Sequence, residues 1–216
     1  MPGPVPLTAL FPFEPCTMTT THHRIDVPLA QASRLLNHGP TVLVTAAHGG
    51  ARNVMAAAWA MPLDFDPPKV AVVIDKHTFT HQLIAASGSF ALQVPRLDQA
   101  DLTTTVGNSS GQALRDAGTD KFARYGIEHF AAKVVPAPLV AHCLAWLECK
   151  VIAWPDMTAA HDLYLAEVVS AQADGRVFVQ GRWQFDQAEP GLRSLHHLGG
   201  GQYVAPGQAL TGRQLA

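Results

Sequence analysis

The chain has 216 residues, 48% hydrophobic and 15% charged, which is enough for one well-buried core or at most two small ones. Its 15 Lys and Arg residues nearly balance 17 Asp and Glu residues, and like charges do not cluster, which argues against nucleic acid or an anionic membrane as the main partner. Cys16, Cys143 and Cys149 lack metal-binding spacing and are odd in number, which indicates a reducing cytoplasm rather than a disulfide framework.

Residues 1–28 are interpreted as a leader that is mobile in part. The first 17 residues are rich in proline and lack a basic segment followed by the apolar run of a signal peptide, so export is not expected. Translation from Met18 is one alternative for this segment. Packing of Phe11 and Phe13 on the rest of the protein is another.

The region from residue 29 onward is predicted to form one domain, 29–216. Apolar residues recur at helical spacing from residue 29 to 36, and Asn-His-Gly-Pro at 37–40 ends the predicted helix. In Thr41–Thr45, Val42 and Val44 face one side and the other three residues face the opposite side, the period of two that is typical of a strand in a half-buried sheet.

A second strand, predicted over Asn53–Met61 after a Gly49-Gly50 turn, is unusually rich in alanine. It contains Ala56, Ala57, Ala58 and Ala60. Alanine buries little surface in a strand, so small side chains here suit a flat ligand that lies against the backbone. A tight crossing between neighbouring strands is the alternative explanation.

A helix start follows the third predicted strand, Val70–Ile74, which comes after the Pro67-Pro68 break. The helix is predicted over Phe79–Ser87, with Thr78 or His77 as N-cap, Thr80 in the first turn and Gly88 as its end. Free backbone N–H groups and hydroxyls at the positive end of a helix dipole suit a phosphate. Any helix that starts with a threonine cap shares these features.

The remaining pattern is mostly strands. Phe90–Pro95 is predicted to be a strand, residues 97–106 and 113–125 short helices, and His142–Trp154 a long strand with one apolar face. The other face of that strand carries Trp146, Glu148 and Lys150 and is expected to be partly solvated. A hairpin is predicted from Leu163–Ser170 and Arg176–Phe185, with its turn at 173–175. These elements predict a mainly β fold with α additions, arranged as a Greek-key antiparallel barrel.

An ordered set of short motifs resembles the flavin reductase-like family with the FMN-binding split barrel, which includes the flavoredoxin-type proteins. The set spans about residues 35–205 and comprises Asn53, Trp59, Pro67-Pro68, Thr80, Gly88-x-Phe90, Ser110-Gly111, Asp120-Lys121-Phe122, Leu147-Glu148-Cys149, His161-Asp162-Leu163, Ala166-Glu167-Val168 and Gly199-Gly200-x-x-Tyr203. The resemblance implies a Greek-key antiparallel split β-barrel of the FMN-binding type.

The resemblance also implies a set of flavin contacts. Asn53 would hydrogen-bond the flavin, Thr80 with nearby Thr78 would hold the phosphate, and Lys121 would stabilise the reduced ring at its pyrimidine end. The backbone of Val54, Met55, Ala56, Ala57 and Ala58 would run beside the ring, with Trp59, His161 and Tyr203 near it. In isolation, Asn53 is equally typical of a turn cap, Trp59 of a core and Lys121 of a solvated helix.

Two positions depart from the family pattern. The acidic neighbour of His161 follows it, as Asp162, where the family places the acid before the histidine. Gln93 stands where the family usually has asparagine, a change that keeps both the donor and the acceptor.

The function implied is that of an NAD(P)H-dependent flavin reductase, which transfers hydride from nicotinamide to flavin. FMN is the expected cofactor, with FAD as an alternative, and NAD(P)H is the co-substrate. No GxGxxG motif opens a helix after a strand, but a nicotinamide that stacks on the flavin needs no Rossmann domain. The alternatives are a flavoredoxin-like electron carrier and a split-barrel binder of another planar ligand.

The expected partners follow from the same resemblance. The chain is predicted to form a homodimer, because one small barrel covers only one side of a flavin, and an oxygenase is a candidate acceptor. No metal is expected, because the adjacent histidines His22-His23 and His196-His197 would point to opposite faces of a strand. The sequence does not distinguish NADH from NADPH.

Overall fold

The computed structural model describes residues 23–215, in which strands predominate. The strands are β1 Arg24–Asp26, β2 Val42–His48, β3 Ala51–Ala57, β4 Ala60–Phe65, β5 Pro68–Val73, β6 Ser89–Val94, β7 His129–Ala131, β8 Pro138–Val140, β9 Ala145–Ile152, β10 Leu163–Asp174, β11 Phe178–Val179, β12 Arg182–Trp183, β13 His196–Gly199 and β14 Gln202–Val204. The helices are α1 Phe79–Ser87, α2 Ala100–Asn108, α3 Gly111–Asp116, α4 Lys121–Tyr125 and α5 Pro155–His161, with 3-10 turns at Leu29–Leu35, Leu97–Gln99 and Pro190–Leu192.

Eight strands form one antiparallel sheet in the order β3-β2-β6-β9-β10-β5-β4, with β1 paired to β10. After the β4–β5 hairpin reaches one end of the sheet, β6 returns beside β2, which is a Greek-key connection. Strands β3 and β4 lie at opposite ends of this order, so the sheet curls without closing. The predicted mainly β, antiparallel Greek-key fold with helical additions is confirmed.

The sheet separates two hydrophobic clusters. One fills the barrel and includes Val42 and Val44 of β2, whereas the other lies on the outer face and includes Leu43 of the same strand. Because successive side chains of a strand point to opposite faces, β2 contributes to both cores. The outer cluster is covered by α2, α4 and the β7–β8 hairpin, and this side carries the cavities described below.

The prediction of one alanine-rich strand over Asn53–Met61 is wrong, because the structure has two strands. β3 ends at Ala57, and β4 starts at Ala60 and pairs with β5 at the far end of the sheet. The break at Ala58-Trp59 is where the chain crosses the open side of the barrel. The Trp59 carbonyl there accepts a bond of 3.0 Å from the backbone N–H of Val73.

Strand β9 is also shorter than predicted. It stops at Ile152, and Pro155 occupies the first turn of α5, where a missing N–H costs nothing. His161 is therefore the last residue of a helix. Asp162 ends that helix in the left-handed conformation, with φ 55°.

The expectation that the second face of β9 is partly solvated is wrong for two of its three residues. Trp146 is 4% exposed and Glu148 is fully buried, whereas Lys150 is exposed. The Glu148 carboxylate accepts bonds from the backbone N–H groups of Lys133, Val134 and Val135 at 2.9, 2.6 and 3.1 Å. A buried carboxylate is tolerated when several donors satisfy it, and a loop distant in sequence supplies them.

The predicted hairpin after residue 163 has different limits. β10 continues through the predicted turn to Asp174, because β1 pairs with its end at residues 172–174. The following residues form a separate small hairpin, β11–β12. β1 places residues 24–26 of the expected leader on the sheet, whereas residues 1–22, with Phe11 and Phe13, lie outside the described residues.

Candidate functional site

A cleft lies between strand β3 and helix α2. Its cavity of about 520 Å³ is closed on one side by the β13–β14 hairpin and is lined by Thr41, Ala56, Ala57, Ala58, Thr103, Thr104, Gly107, Asn108, His197, Gly200, Gly201 and Tyr203. A Cβ atom added at Gly107 would lie 3.3 Å from the Cβ of Ala56, so the helix approaches the strand as closely as two such residues allow. We call this cavity the β3 cleft.

A second cavity of about 450 Å³ lies at the other end of β3, and we call it the arginine cavity. It is lined by Gly49, Gly50, Ala51, Arg52, Phe79, Gly111, Arg115, Gly118, Thr119, Asp120 and Ala123. Arg52 donates to Asp120 at 2.8 Å, and the Arg115 guanidinium lies 5.2 Å from the centre of the Phe79 ring. At about 3.3 Å per residue, Ala51 and Ala56 are about 17 Å apart, so the two cavities lie along one strand.

Asn53 lies on β3 between these cavities. Its amide is 3% exposed and donates to the hydroxyl of Thr80 at 2.8 Å, while its Oδ1 atom has no partner among the described residues. A Cβ atom at Gly111 would come within 2.4 Å of that Oδ1 atom, so only glycine fits against the amide. Thr80 is fully buried and lines neither cavity.

Thr78 caps helix α1, as predicted. Its hydroxyl accepts from the His81 N–H at 3.2 Å and donates to the Asp75 carbonyl at 2.8 Å. Both hydrogen bonds of the Thr78 hydroxyl thus stabilise the N-terminus of α1. Of the α1 residues, Phe79 lies at the wall of the arginine cavity.

Lys121 is 2% exposed and sits behind α2. Its Nζ atom donates to the carbonyl of Val106 at 2.6 Å, in the last turn of α2, where the helix dipole favours a cation. Burial lowers the pKa of Lys121 to about 8. Lys121 lines neither cavity, but it contacts the residue that precedes Gly107 in the cleft wall.

The other residues implied by the resemblance divide into two groups. The structure brings Ala56, Ala57, Ala58 and Tyr203 together in the β3 cleft. Val54 packs in the outer core and Met55 packs against the barrel core. Trp59 is 75% exposed, and exposed His161 ends α5, so neither lines the cleft.

The β13–β14 hairpin positions Tyr203 over the cleft. The Tyr203 hydroxyl lies 3.1 Å from the Thr104 hydroxyl of α2, and the His197 ring is 5.5 Å from the Tyr203 ring. The base of the hairpin is held at Ser194, whose hydroxyl lies 3.0 Å from His38 Nε2 and 3.2 Å from His196 Nε2. Burial lowers the pKa of His38 to about 4 and also lowers that of His196, so both rings are neutral at pH 7.

Several residues that line the two cavities could not be identified as site residues from the sequence. Thr41 precedes β2, Thr104 lies in a helix, and Arg52 and Arg115 are distant in sequence; the fold alone brings them to the two cavities. His196 and His197 point apart, toward Ser194 and Tyr203. Within residues 23–215 no three His, Cys, Asp or Glu side chains come together as a metal site, and no helix there is long and apolar enough to span a membrane.

Comparisons with known proteins identify the family of the chain. Residues 34–186 match the family model described as "Flavin reductase like domain". A Shewanella baltica structure described as an FMN-binding domain of a flavin reductases-like enzyme is 47% identical and superposes with a TM-score of 0.83, covering 88% of this chain and 97% of that one.

Two more distant proteins carry functional names. Flavoredoxin from Desulfovibrio vulgaris is 25% identical with a TM-score of 0.68, over 81% of this chain and 90% of that one. An NADH-dependent FAD reductase from Streptomyces globisporus is 26% identical over 71% of this chain and 84% of that one. The open antiparallel barrel is the split barrel of these relatives, and the chain belongs to the flavin reductase-like domain family.

Proposed function

We propose that this protein binds FMN along β3 and acts as an NAD(P)H-dependent flavin reductase. The observation that carries the proposal is the position of two cavities on one strand. The β3 cleft is lined mostly by small residues, which suits a flat ring. The arginine cavity holds Arg115, together with Arg52 in its pair with Asp120, for a phosphate at the other end. The Shewanella relative, described as FMN-binding, supports the choice of cofactor.

Unpartnered polar atoms in this region fit such a ligand. Thr41 Oγ1, Asn53 Oδ1 and Ser109 Oγ are buried and have no hydrogen-bond partner among the described residues. Buried polar atoms are normally satisfied, so each is a candidate contact for the polar edge or the ribityl chain of a flavin. Thr80 and Thr78 then act indirectly, Thr80 by orienting the Asn53 amide and Thr78 by starting α1 at the arginine cavity.

Bound FMN would accept a hydride from nicotinamide and pass the electrons to an acceptor. The chain itself excludes water from one ring face through Ala56–Ala58 and Gly107, and it places the Tyr203 hydroxyl at the cleft. His161, which lies outside the β3 cleft, is a proposed flavin contact through the resemblance alone. An oxygenase is the proposed acceptor of the electrons. FAD is the alternative flavin to FMN. The proposed location is a reducing cytoplasm.

The proposal is tested on the purified full-length chain. We expect a yellow protein with one bound FMN and rapid oxidation of NADH or NADPH by the loaded protein in stopped-flow mixing. Tight FMN binding without nicotinamide oxidation would instead favour an electron carrier, the function suggested by the flavoredoxin relative. Failure to bind FMN or FAD would contradict both.

Lys121 is expected to tune the flavin. A cation beside the cleft stabilises the reduced flavin more than the oxidised one, because reduction adds negative charge. A loss of 1–2 kcal/mol in Lys121→Met would lower the two-electron potential by about 20–45 mV below pH 8. Because the pKa of Lys121 is about 8, this difference should vanish as the pH rises above 8 and the amine loses its charge.

Potentiometric titration of the FMN-loaded proteins on both sides of pH 8 measures this effect. Lys150→Met removes an exposed lysine and serves as the control. Equal potentials for parent and Lys121→Met at both pH values would limit Lys121 to supporting α2.

A homodimer is the proposed assembly. The outward face of edge strand β4 carries Met61, Leu63 and Phe65, which are 55%, 49% and 71% exposed, and Trp59 continues this apolar ridge at 75%. β4 is the last strand of the sheet and has no further partner strand among residues 23–215. A row of large apolar side chains on such a strand favours an interface, and a second copy with two-fold symmetry would cover it.

Leu63→Glu is expected to weaken this dimer at least about tenfold, since a charge would become buried in an apolar interface. Sedimentation velocity over a concentration series measures the dissociation constant. Gln112→Glu, which adds the same charge on α3, is the control. A parent protein that is monomeric while it holds FMN would contradict the proposed interface.

A further inference from the structure

A further cavity lies on the outer face of the sheet, away from the β3 cleft. It has a volume of about 600 Å³ and is bounded by α4, β7 and the start of β9. Its lining comprises His23, Arg24, Phe122, Ala123, Gly126, Ile127, Glu128, His129, Phe130, Ala141, His142, Cys143, Trp146, Asp174 and Arg176. Only Ala123 also lines the arginine cavity, and none of these residues lines the β3 cleft. We call this the outer cavity.

The walls of the outer cavity are aromatic. Phe122 and Trp146 are 2% and 4% exposed, and the Phe130 ring packs edge-on against Trp146 with centroids 5.7 Å apart. Buried Ile127 and Cys143 lie with Phe122 and Trp146 in the layer behind the cavity, whereas Phe130 is half-buried and lies at its surface. Aromatic rings prefer offset or edge-to-face neighbours, so Phe130 can receive a planar ring. The volume lies within the ordinary range of small-molecule pockets, about 300–1,000 Å³.

Most charges at the rim are already paired. Asp174 holds Arg176 at 2.5 Å, and Glu128 lies 3.0 Å from His142. His129 faces Arg52, with Nε2 2.6 Å from Nη1. Of these contacts, the one between Asp174 and Arg176 pairs opposite charges, and the Glu128 carboxylate stays exposed at the rim beside His142.

Arg24 differs from its neighbours. Its guanidinium lies 3.9 Å from the centre of the Phe130 ring and 5.9 Å from that of Trp146, and no carboxylate among residues 23–215 lies within ion-pair distance. A guanidinium stacked on a ring keeps its planar edge of N–H groups available, and that edge matches a carboxylate with two parallel bonds. The outer cavity therefore combines an apolar aromatic interior with one oriented cation at its mouth.

We propose that the outer cavity is a binding site for a planar aromatic carboxylate. The ring lies against Phe130, in front of the buried Phe122 and Trp146 rings, and the carboxylate pairs with Arg24. This site is separate from the β3 cleft and does not depend on the proposed flavin function.

Calorimetric titration of the full-length chain with 2-naphthoate tests the proposal, with 2-naphthalenemethanol as a neutral ligand of similar shape. We expect one naphthoate per chain and weaker binding of the alcohol, because only the carboxylate can use Arg24. Saturating FMN should leave the affinity for naphthoate unchanged, which separates this site from the flavin site.

Two variants assign the binding to the outer cavity. Arg24→Met keeps an apolar stem over Phe130 and should weaken naphthoate about tenfold or more while changing the alcohol little. Ala141→Trp fills the cavity and should weaken both ligands. Arg182→Met, which removes an exposed arginine of β12, is the matched control and should change neither.

Three results would overturn the proposal. They are absence of naphthoate binding to the full chain, equal affinity of the parent for both ligands, and naphthoate binding that neither Arg24→Met nor Ala141→Trp weakens. The comparison of the two ligands on the parent protein needs no variant, so the proposal remains testable even if a substitution impairs folding.

Discussion

Gly107→Leu is expected to weaken FMN binding by about 1,000-fold, which corresponds to about 4 kcal/mol. Gly107 lines the β3 cleft, and even a Cβ atom there would lie 3.3 Å from Ala56. A leucine side chain must therefore project into the space that the proposed flavin ring would fill. Leucine has a higher helix propensity than glycine, which offsets part of the stability lost by crowding the contact with Ala56.

Fluorescence titration of FMN into Gly107→Leu measures the affinity, and thermal unfolding confirms that the variant is folded. Ala113→Leu adds a side chain of the same size at an exposed position of α3 and should bind FMN like the parent. A folded Gly107→Leu protein with the parent affinity would exclude the β3 cleft as the flavin site.

Glu148→Ala is expected to lower the free energy of unfolding by about 3–5 kcal/mol. Removing the carboxylate leaves three backbone N–H groups, at residues 133–135, without their acceptor, and the one of Val135 is buried. At about 2–4 °C per kcal/mol for a chain of this size, the melting temperature should fall by at least about 6 °C. Glu148→Gln, which retains one acceptor oxygen, should lose less.

Chemical denaturation measures the stability of both variants. The control is Glu167→Ala, which removes an exposed glutamate from the neighbouring strand β10. If Glu148→Ala unfolds at the same denaturant concentration as Glu167→Ala, then the loop at 133–135 does not depend on the buried carboxylate.

The parts of the fold that follow from local pattern could be predicted from the sequence. Helix α1 is predicted at Phe79–Ser87 with Thr78 or His77 as cap and Gly88 as end, and the structure has these limits with Thr78 as the cap. Capping residues and turn glycines interact with backbone groups only a few residues away, so the ends of a helix can be predicted from the local sequence. The unusual number of alanines in one predicted strand likewise draws attention to Ala56, Ala57 and Ala58, which line the β3 cleft.

Features that depend on distant residues could not be predicted. The length of β10 is set by its pairing with β1, and the burial of Glu148 by a loop about 14 residues away. The charge of Glu148 and its place in the alternating pattern of β9 would by themselves predict a solvent-exposed side chain. The same reasoning applies to the candidate site, because Arg52 and Arg115 reach one cavity only through the packing of α3 against β3.

Strand β2 has a consequence for how this chain can change during evolution. Val42, Val44 and Ala46 fill the barrel, Leu43 belongs to the outer cluster, and Thr45 bonds Gln93 inside the structure at 2.8 Å. A single-residue insertion or deletion in Val42–His48 would exchange the two faces and place each side chain in the wrong core. Homologues should therefore vary in length at the surrounding turns, while β2 keeps its length and accepts only substitutions that match both cores in size.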